Sequence, residues 1–101
     1  MSRPPPDQQF WDLADSFIHV ANEHSDTVAH AKVSAAMLYA AARFNAFIAA
    51  ANADDEVAFR EDRERALEYF TGEFRKMLAE NLDDWADHYT EYIRTKRGSG
   101  A

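Results

Sequence analysis

Residues 38–47 read LYAAARFNAF and lie within the least charged part of the chain. This stretch is almost entirely apolar, although it contains Arg43 and Asn45. On both sides of it, apolar residues recur every three or four positions, as they do along a helix that is covered on more than one side. We therefore expect a long helix from about Thr27 to Asn52, and the rest of the fold is predicted from what must cover it.

The predicted central helix has two apolar sides when successive residues are placed about 100° apart. One side carries large residues, among them Val33, Met37, Phe44 and Phe47. The other side is almost all alanine, and small side chains let a neighbouring helix approach closely. We interpret this second side as a candidate interface with another subunit, and the alternative is that a helix of the same chain covers it. The candidate interface residues are Ala35, Leu38, Ala42, Ala46, Ala49 and Ala53.

Three further helices are predicted around the central one. The first would be capped by Asp7 and run to His24, with its apolar residues on one side. Another would begin at the acidic residues 54–56, which supply its N-cap and the charge of its first turn, and reach about Glu80. A short last helix would be capped by Asp83. We therefore expect an all-α fold, a helical bundle of two long antiparallel helices with a shorter helix at each end.

Domain boundaries follow from where glycine and proline lie. The prolines fall at positions 4–6, and only one of the three glycines, Gly72, is internal. We expect a flexible N-terminal arm at residues 1–6, a single helical domain at residues 7–94 and a disordered tail at residues 95–101. A chain of 101 residues fits one domain with a modest core.

Composition excludes several classes of function. The net charge of −7 disfavours binding to nucleic acid, and the absence of cysteine excludes disulfides, thiol nucleophiles and thiolate metal sites. The first residues have no apolar segment of the kind that a signal peptide needs, so we expect a cytoplasmic protein. We expect no membrane span either, because Lys32, Arg43 and Asp54 interrupt or flank the apolar region and alanine contributes little to insertion.

A few polar residues lie among apolar ones. Arg43 falls with Tyr39 between the two apolar sides of the central helix, and Asn45 falls at the border on the other side. Arg63 lies on the predicted packing stripe of the next helix, which is formed by Phe59, Ala66, Phe70, Phe74, Met77 and Leu78. Each arginine either extends over the edge of an apolar surface to a carboxylate, or forms a site for an anion. The candidate polar pocket is Tyr39, Arg43, Asn45 and Arg63.

Histidines raise the question of a metal site. Three of the four histidines follow an aspartate by four residues, a spacing that places both groups on one side of a helix. The pairs are Asp15–His19, Asp26–His30 and Asp84–His88. Di-metal helical bundles use a glutamate three residues before the histidine instead, so we expect solvated surface, no metal and no cofactor. No nucleophile with a base partner and no glycine-rich phosphate loop is identified, so no catalytic residue is assigned.

Three segments of the chain resemble a family of short, mainly proteobacterial proteins known as a domain of unknown function. The segments are FWDLADSFIHVAN at residues 10–22, KVSAAMLYAAARFNAF at residues 32–47 and ALEYFTGEFRKMLAENLDDW at residues 66–85. The resemblance implies a bacterial, cytoplasmic, helical protein. It implies no activity, cofactor or catalytic residue.

Taken together, these observations favour a non-enzymatic module for protein interaction or self-association. The expected partners are a second copy of the chain, in a homodimer, or a helical protein. The alternative is a binder of small anionic ligands, or a minor enzyme, that uses the polar residues between the helices.

Overall fold

The computed structural model describes the backbone of residues 5–98 and the side chains of residues 5–95. It contains five helices, α1 (Gln8–Ser25), α2 (His30–Asn52), α3 (Glu56–Glu61), α4 (Arg63–Asp87) and α5 (Tyr89–Gly98). Over this range there is no β-strand, so the prediction of an all-α protein is confirmed. The antiparallel arrangement of the two long helices stays a prediction.

The first helix begins where its capping residue predicts. Asp7 has extended backbone angles, and its Oδ1 accepts a hydrogen bond from the backbone N–H of Phe10 at 2.9 Å. This contact satisfies one of the N–H groups that a helix start leaves without a partner in the helix itself. The helix ends at Ser25, whose hydroxyl donates to the carbonyl of Ala21 at 2.9 Å.

The central helix begins three residues later than predicted, at His30 instead of Thr27. The backbone N–H groups of Thr27 and Val28 both donate to the carbonyl of His24, so these residues still belong to the turn that leaves α1. The predicted end at Asn52 is confirmed.

The third predicted helix is divided in two, and this corrects the sequence prediction. Asp55 caps α3, and its Oδ1 accepts from the N–H of Ala58 at 2.8 Å. Asp62 then interrupts the helix with φ −87° and ψ 0°, angles outside the helical region. The Asp62 side chain makes no capping hydrogen bond to the backbone, and its carboxylate lies 3.5 Å from the guanidinium of Arg65 instead.

The predicted stop near Glu80 and Asn81 is also wrong. The side-chain amide of Asn81 donates to the carbonyl of Met77 at 2.7 Å, so the residue stays within a helix that continues to Asp87. The last helix therefore starts at Tyr89, and Asp83 does not cap it. It extends to Gly98, into the segment predicted as a disordered tail. Residues 1–4 of the predicted arm and residues 99–101 of the tail lie outside the described residues.

The described chain divides into two compact units, at residues 5–42 and 43–98, with the boundary inside α2. In the first unit, the half-buried residues of α1 recur at helical spacing, and they are Phe10, Ala14, Ala21 and Ser25. In the second unit, α4 contacts both α3 and α5. The single domain expected at residues 7–94 stays a prediction.

Coverage of the apolar residues is partial throughout. In the second unit, Ala66, Phe70 and Met77 of the predicted packing stripe are half-buried. The other large residues of that stripe, Phe59, Phe74 and Leu78, are exposed. Among the described side chains none is fully buried. The described side chains therefore form no closed core.

Gly72 offers a direct test of α4. It lies inside the helix, and a Cβ built at this position meets nothing within 4 Å. Glycine costs roughly 1 kcal/mol relative to alanine in a helix interior, so we expect Gly72→Ala to raise the free energy of unfolding by about 0.5–1 kcal/mol. Urea denaturation followed by circular dichroism measures the change, and a destabilised variant would show that another molecule lies close to this backbone.

Candidate functional site

The candidate polar residues of α2 do not converge on one side of the helix. Tyr39 is 65% exposed, and Arg43 follows it by one turn and is exposed as well. Asn45 is half-buried. Because two residues turn a helix by about 200°, Asn45 lies nearly opposite Arg43. An anion site shared by all the candidate residues stays a prediction.

Arg63 occupies a different setting from the one that its spacing indicated. The interruption at Asp62 makes Arg63 the first residue of α4, so it is not part of one continuous stripe with Phe59. Its side chain is 72% exposed and forms an ion pair with Glu64, the next residue. An exposed pair of this kind contributes little to stability.

The candidate interface on α2 is open over most of its length. Ala35, Leu38, Ala42 and Ala46 are exposed, whereas Ala49 and Ala53 are half-buried. The exposed fraction of Leu38 is 51%. The expectation that a second subunit covers these residues stays a prediction. The exposed residues Ala35, Leu38, Ala42 and Ala46 are accessible to such a subunit.

Sequence reasoning missed a second apolar surface, which lies on α4. Leu67, Phe74, Leu78 and Leu82 are all exposed, although they recur at spacings of seven and four residues. We call these four residues the α4 leucine face. Phe74 and Leu78 were assigned to the packing stripe. The regular spacing from Leu67 through Leu82 could have shown that the apolar side of this helix is wider than that stripe.

A polar and aromatic cluster joins α4 to α5. The imidazole Nδ1 of His88 lies 3.0 Å from the carbonyl oxygen of Asp84 and 3.3 Å from its Oδ1. The hydroxyl of Tyr92 donates to the same Oδ1 at 3.3 Å. The Tyr92 ring stacks on His88, with centroids 5.1 Å apart, and meets Trp85 edge-on at 4.9 Å. Asp84 thus holds both neighbouring rings across the break between the two helices.

These contacts change the acidity of two side chains. The hydrogen bond to the Asp84 carbonyl is the main cause that raises the pKa of His88 above 6.5, with added attraction from the carboxylates of Asp84, Glu91 and Asp87. Desolvation is the main cause that raises the pKa of Tyr92, followed by its hydrogen bond to the Asp84 carboxylate.

The other histidine contacts are local as well. His19 Nε2 lies 2.7 Å from Glu23 Oε1, so its contact points one turn forward along α1 instead of back to Asp15. Within the described part of the chain, no group of three histidine, aspartate or glutamate side chains has a geometry that would hold a metal ion. The pair at Asp84 and His88 forms as its spacing predicts, and it serves the helix junction.

One helix of the described residues, α2, is long and apolar enough to cross a membrane when length and composition alone are considered. It has 23 residues, none of them buried. Arg43 lies close to its middle, and an arginine at the centre of a bilayer costs roughly 2.5–3.5 kcal/mol on insertion scales. The expectation of no membrane span stays a prediction.

His88 predicts a pH dependence of defined sign. Its pKa is raised in the folded chain, so protonated His88 stabilises the junction fully below 6.5, and this contribution is lost as the pH rises through the raised value. We expect unfolding temperatures to fall as the pH rises above about 6.5. The fall should be smaller in His88→Gln, which carries the same remaining histidines.

NMR titration of the His88 ring measures the pKa directly. A value at or below 6.5 would contradict the assignment, as would an unchanged pH dependence in the variant.

Comparison with known proteins places this fold in a family. Residues 10–86 match the family described as "Protein of unknown function (DUF3144)". No curated protein matches the chain. Among solved structures, the NMR structure of the protein NB7890A from Shewanella sp is similar at 22% identity, with a TM-score of 0.75, over 89% of this chain and 96% of that one. This likeness supports the fold alone. The family match spans most of the chain, including α1, α2 and nearly all of α4, and the chain therefore belongs to the family of proteins of unknown function DUF3144.

Proposed function

We propose that this chain is a non-enzymatic self-association module that completes its apolar core with a second copy of itself. One observation carries the proposal: among the described residues, eighteen large apolar side chains are exposed and none is buried. Large exposed apolar surfaces on soluble proteins mark contacts with other molecules.

The free energy gained by burying these side chains is large compared with the stability of a domain. Fully burying one large apolar side chain contributes about 1.5–3 kcal/mol, while a whole domain is stable by only about 5–15 kcal/mol. On α2, Phe44 and Phe47 are 61% and 60% exposed, and their rings lie 6.0 Å apart. Covering a few such side chains between two copies would therefore contribute as much as the stability of an ordinary small domain.

The exposed apolar residues are numerous enough for contact with a second copy. A standard interface buries about 800 Å² from each partner. Large apolar side chains are exposed on both long helices of the described chain, for example Phe44 and Phe47 on α2 and Phe74 and Leu82 on α4. In an obligate dimer, covering such residues couples folding to association.

Charge supports a copy of the same chain as the partner. Helix α1 carries Asp12, Asp15 and Glu23 and no lysine or arginine. Helix α2 carries Lys32 and Arg43 and no acidic residue. Opposite charges beside apolar surfaces on one sequence let two copies complement each other, even though the net charge of −7 opposes their approach at long range.

Sedimentation equilibrium tests the proposal. We expect a dimer at micromolar concentration and an unfolding temperature that rises with protein concentration, because dilution removes the partner that covers the apolar residues. A chain that stays monomeric at every concentration would overturn the proposal. If that monomer also floats with phospholipid vesicles, α2 is covered by lipid instead of protein.

The candidate interface on α2 has its own test. We expect Ala42→Glu to weaken the dimer at least tenfold, because it places a charge where two helices approach closely. Ala36→Glu is the matched control, since Ala36 is also exposed but lies seven residues before Arg43 and at least about 80° around the helix from every candidate interface residue. Sedimentation of both variants at matched concentrations gives the comparison.

Equal weakening by the two substitutions, or by neither, would show that the α2 candidate interface is not where the subunits meet. That outcome would leave self-association itself intact.

A further inference from the structure

The α4 leucine face is a continuous exposed stripe along one side of its helix. Its members are 49% (Leu67), 45% (Phe74), 44% (Leu78) and 60% (Leu82) exposed. Their spacing keeps them on one side of the helix over about 22 Å. The half-buried residues Ala66, Phe70 and Met77 occupy the neighbouring side. Contacts within residues 43–98 thus cover one side of α4 and leave the leucine face open.

Charge along α4 is distributed unevenly. Its first six residues, 63–68, contain two arginines and two glutamates, so they are neutral overall. Its last eight residues, 80–87, contain four acidic side chains and no lysine or arginine. If two such helices paired in parallel, their acidic ends would lie side by side, and the like charges would repel each other. In the antiparallel orientation each acidic end lies beside the end that carries Arg63 and Arg65.

The antiparallel orientation allows a register that is centred on the face. If the two-fold axis passes between Phe74 and Arg75, Leu67 of one copy lies level with Leu82 of the other. Thr71 then lies level with Leu78, and Arg65 with Asp84. An interface in which the same residues serve both subunits is the usual form of a two-fold dimer.

We propose that two copies of this chain pair through the α4 leucine face in an antiparallel orientation, with the two-fold axis near Phe74 and Arg75. This inference rests on the proposed self-association and adds the α4 leucine face, with its orientation, as a contact between the two copies besides the candidate interface on α2.

Spin labelling distinguishes the two orientations. The chain has no cysteine, so a single introduced cysteine carries the only label. Labels at Arg75→Cys lie near the axis, and we expect them within about 20 Å of each other in the dimer. Labels at Glu64→Cys lie about ten residues from the axis in each copy. They should be about 30 Å apart along the helix, since each residue advances the helix by about 1.5 Å. Both positions are exposed and flank the face, so neither label removes an apolar contact.

Substitution tests whether the face is the interface. We expect Leu78→Glu to weaken the dimer at least tenfold. Ala79→Glu, an exposed neighbour about 100° around the helix, should leave association unchanged. Circular dichroism of both variants reports whether helix content is kept. If Leu78→Glu does not fold, the spin-label distances in the otherwise unchanged chain still decide the orientation.

The outcomes separate this inference from the proposed function. A dimer with short distances at both labels is parallel and overturns the inference. A dimer with long distances at both, or one that Leu78→Glu does not weaken, is built on another surface and also overturns it. In each of these cases self-association holds. A wild-type chain that is monomeric at the highest concentration overturns the proposed function itself.

Discussion

The structure depends above all on the burial of its apolar side chains. Helices of this length gain most of their stability from packing an apolar side against something else, because helix propensity alone is marginal in water. Here the described side chains are covered only in part, and residues such as Phe17 and Phe44 are more than half exposed. In the proposed dimer, a second copy of the chain would cover them without any further component. This is why the proposed function and the orientation on α4 concern association and not chemistry.

Acidic residues and a histidine set the helix boundaries. Asp7 and Asp55 each accept a backbone N–H at a helix start, and Asp62 interrupts what would otherwise be one helix. His88 ends α4, with its ring held by Asp84 from the preceding turn. A protonated side chain also suits the negative end of the helix dipole. The contact that looked like a metal pair by spacing is thus explained by the needs of a helix end.

The chain belongs to a family of unknown function, so its own surface is the guide to what it contacts. The two surfaces that the residues indicate differ in character. The candidate interface on α2 consists of small residues that allow close approach, whereas the α4 leucine face consists of large ones that bury more area. The polar residues Tyr39 and Arg43 lie on one side of α2 and Asn45 on another, which does not favour a shared ligand site.

Local features were determined by the sequence alone. The all-helical class, the cap at Asp7, the end of α2 at Asn52 and the Asp84–His88 contact all follow from spacing and from the preferences of single residues. The break at Asp62 and the continuation of the helix through Asn81 could not be predicted in this way. A polar residue inside a helical pattern either ends the helix or forms a hydrogen bond with the helix backbone, and the sequence pattern is the same in both cases.

Only the tertiary structure decided which apolar residues are covered. Periodicity places Ala66, Phe70, Phe74 and Leu78 together, yet the first two are half-buried and the last two exposed. Burial depends on what lies opposite a residue, and its position on its own helix does not carry that information.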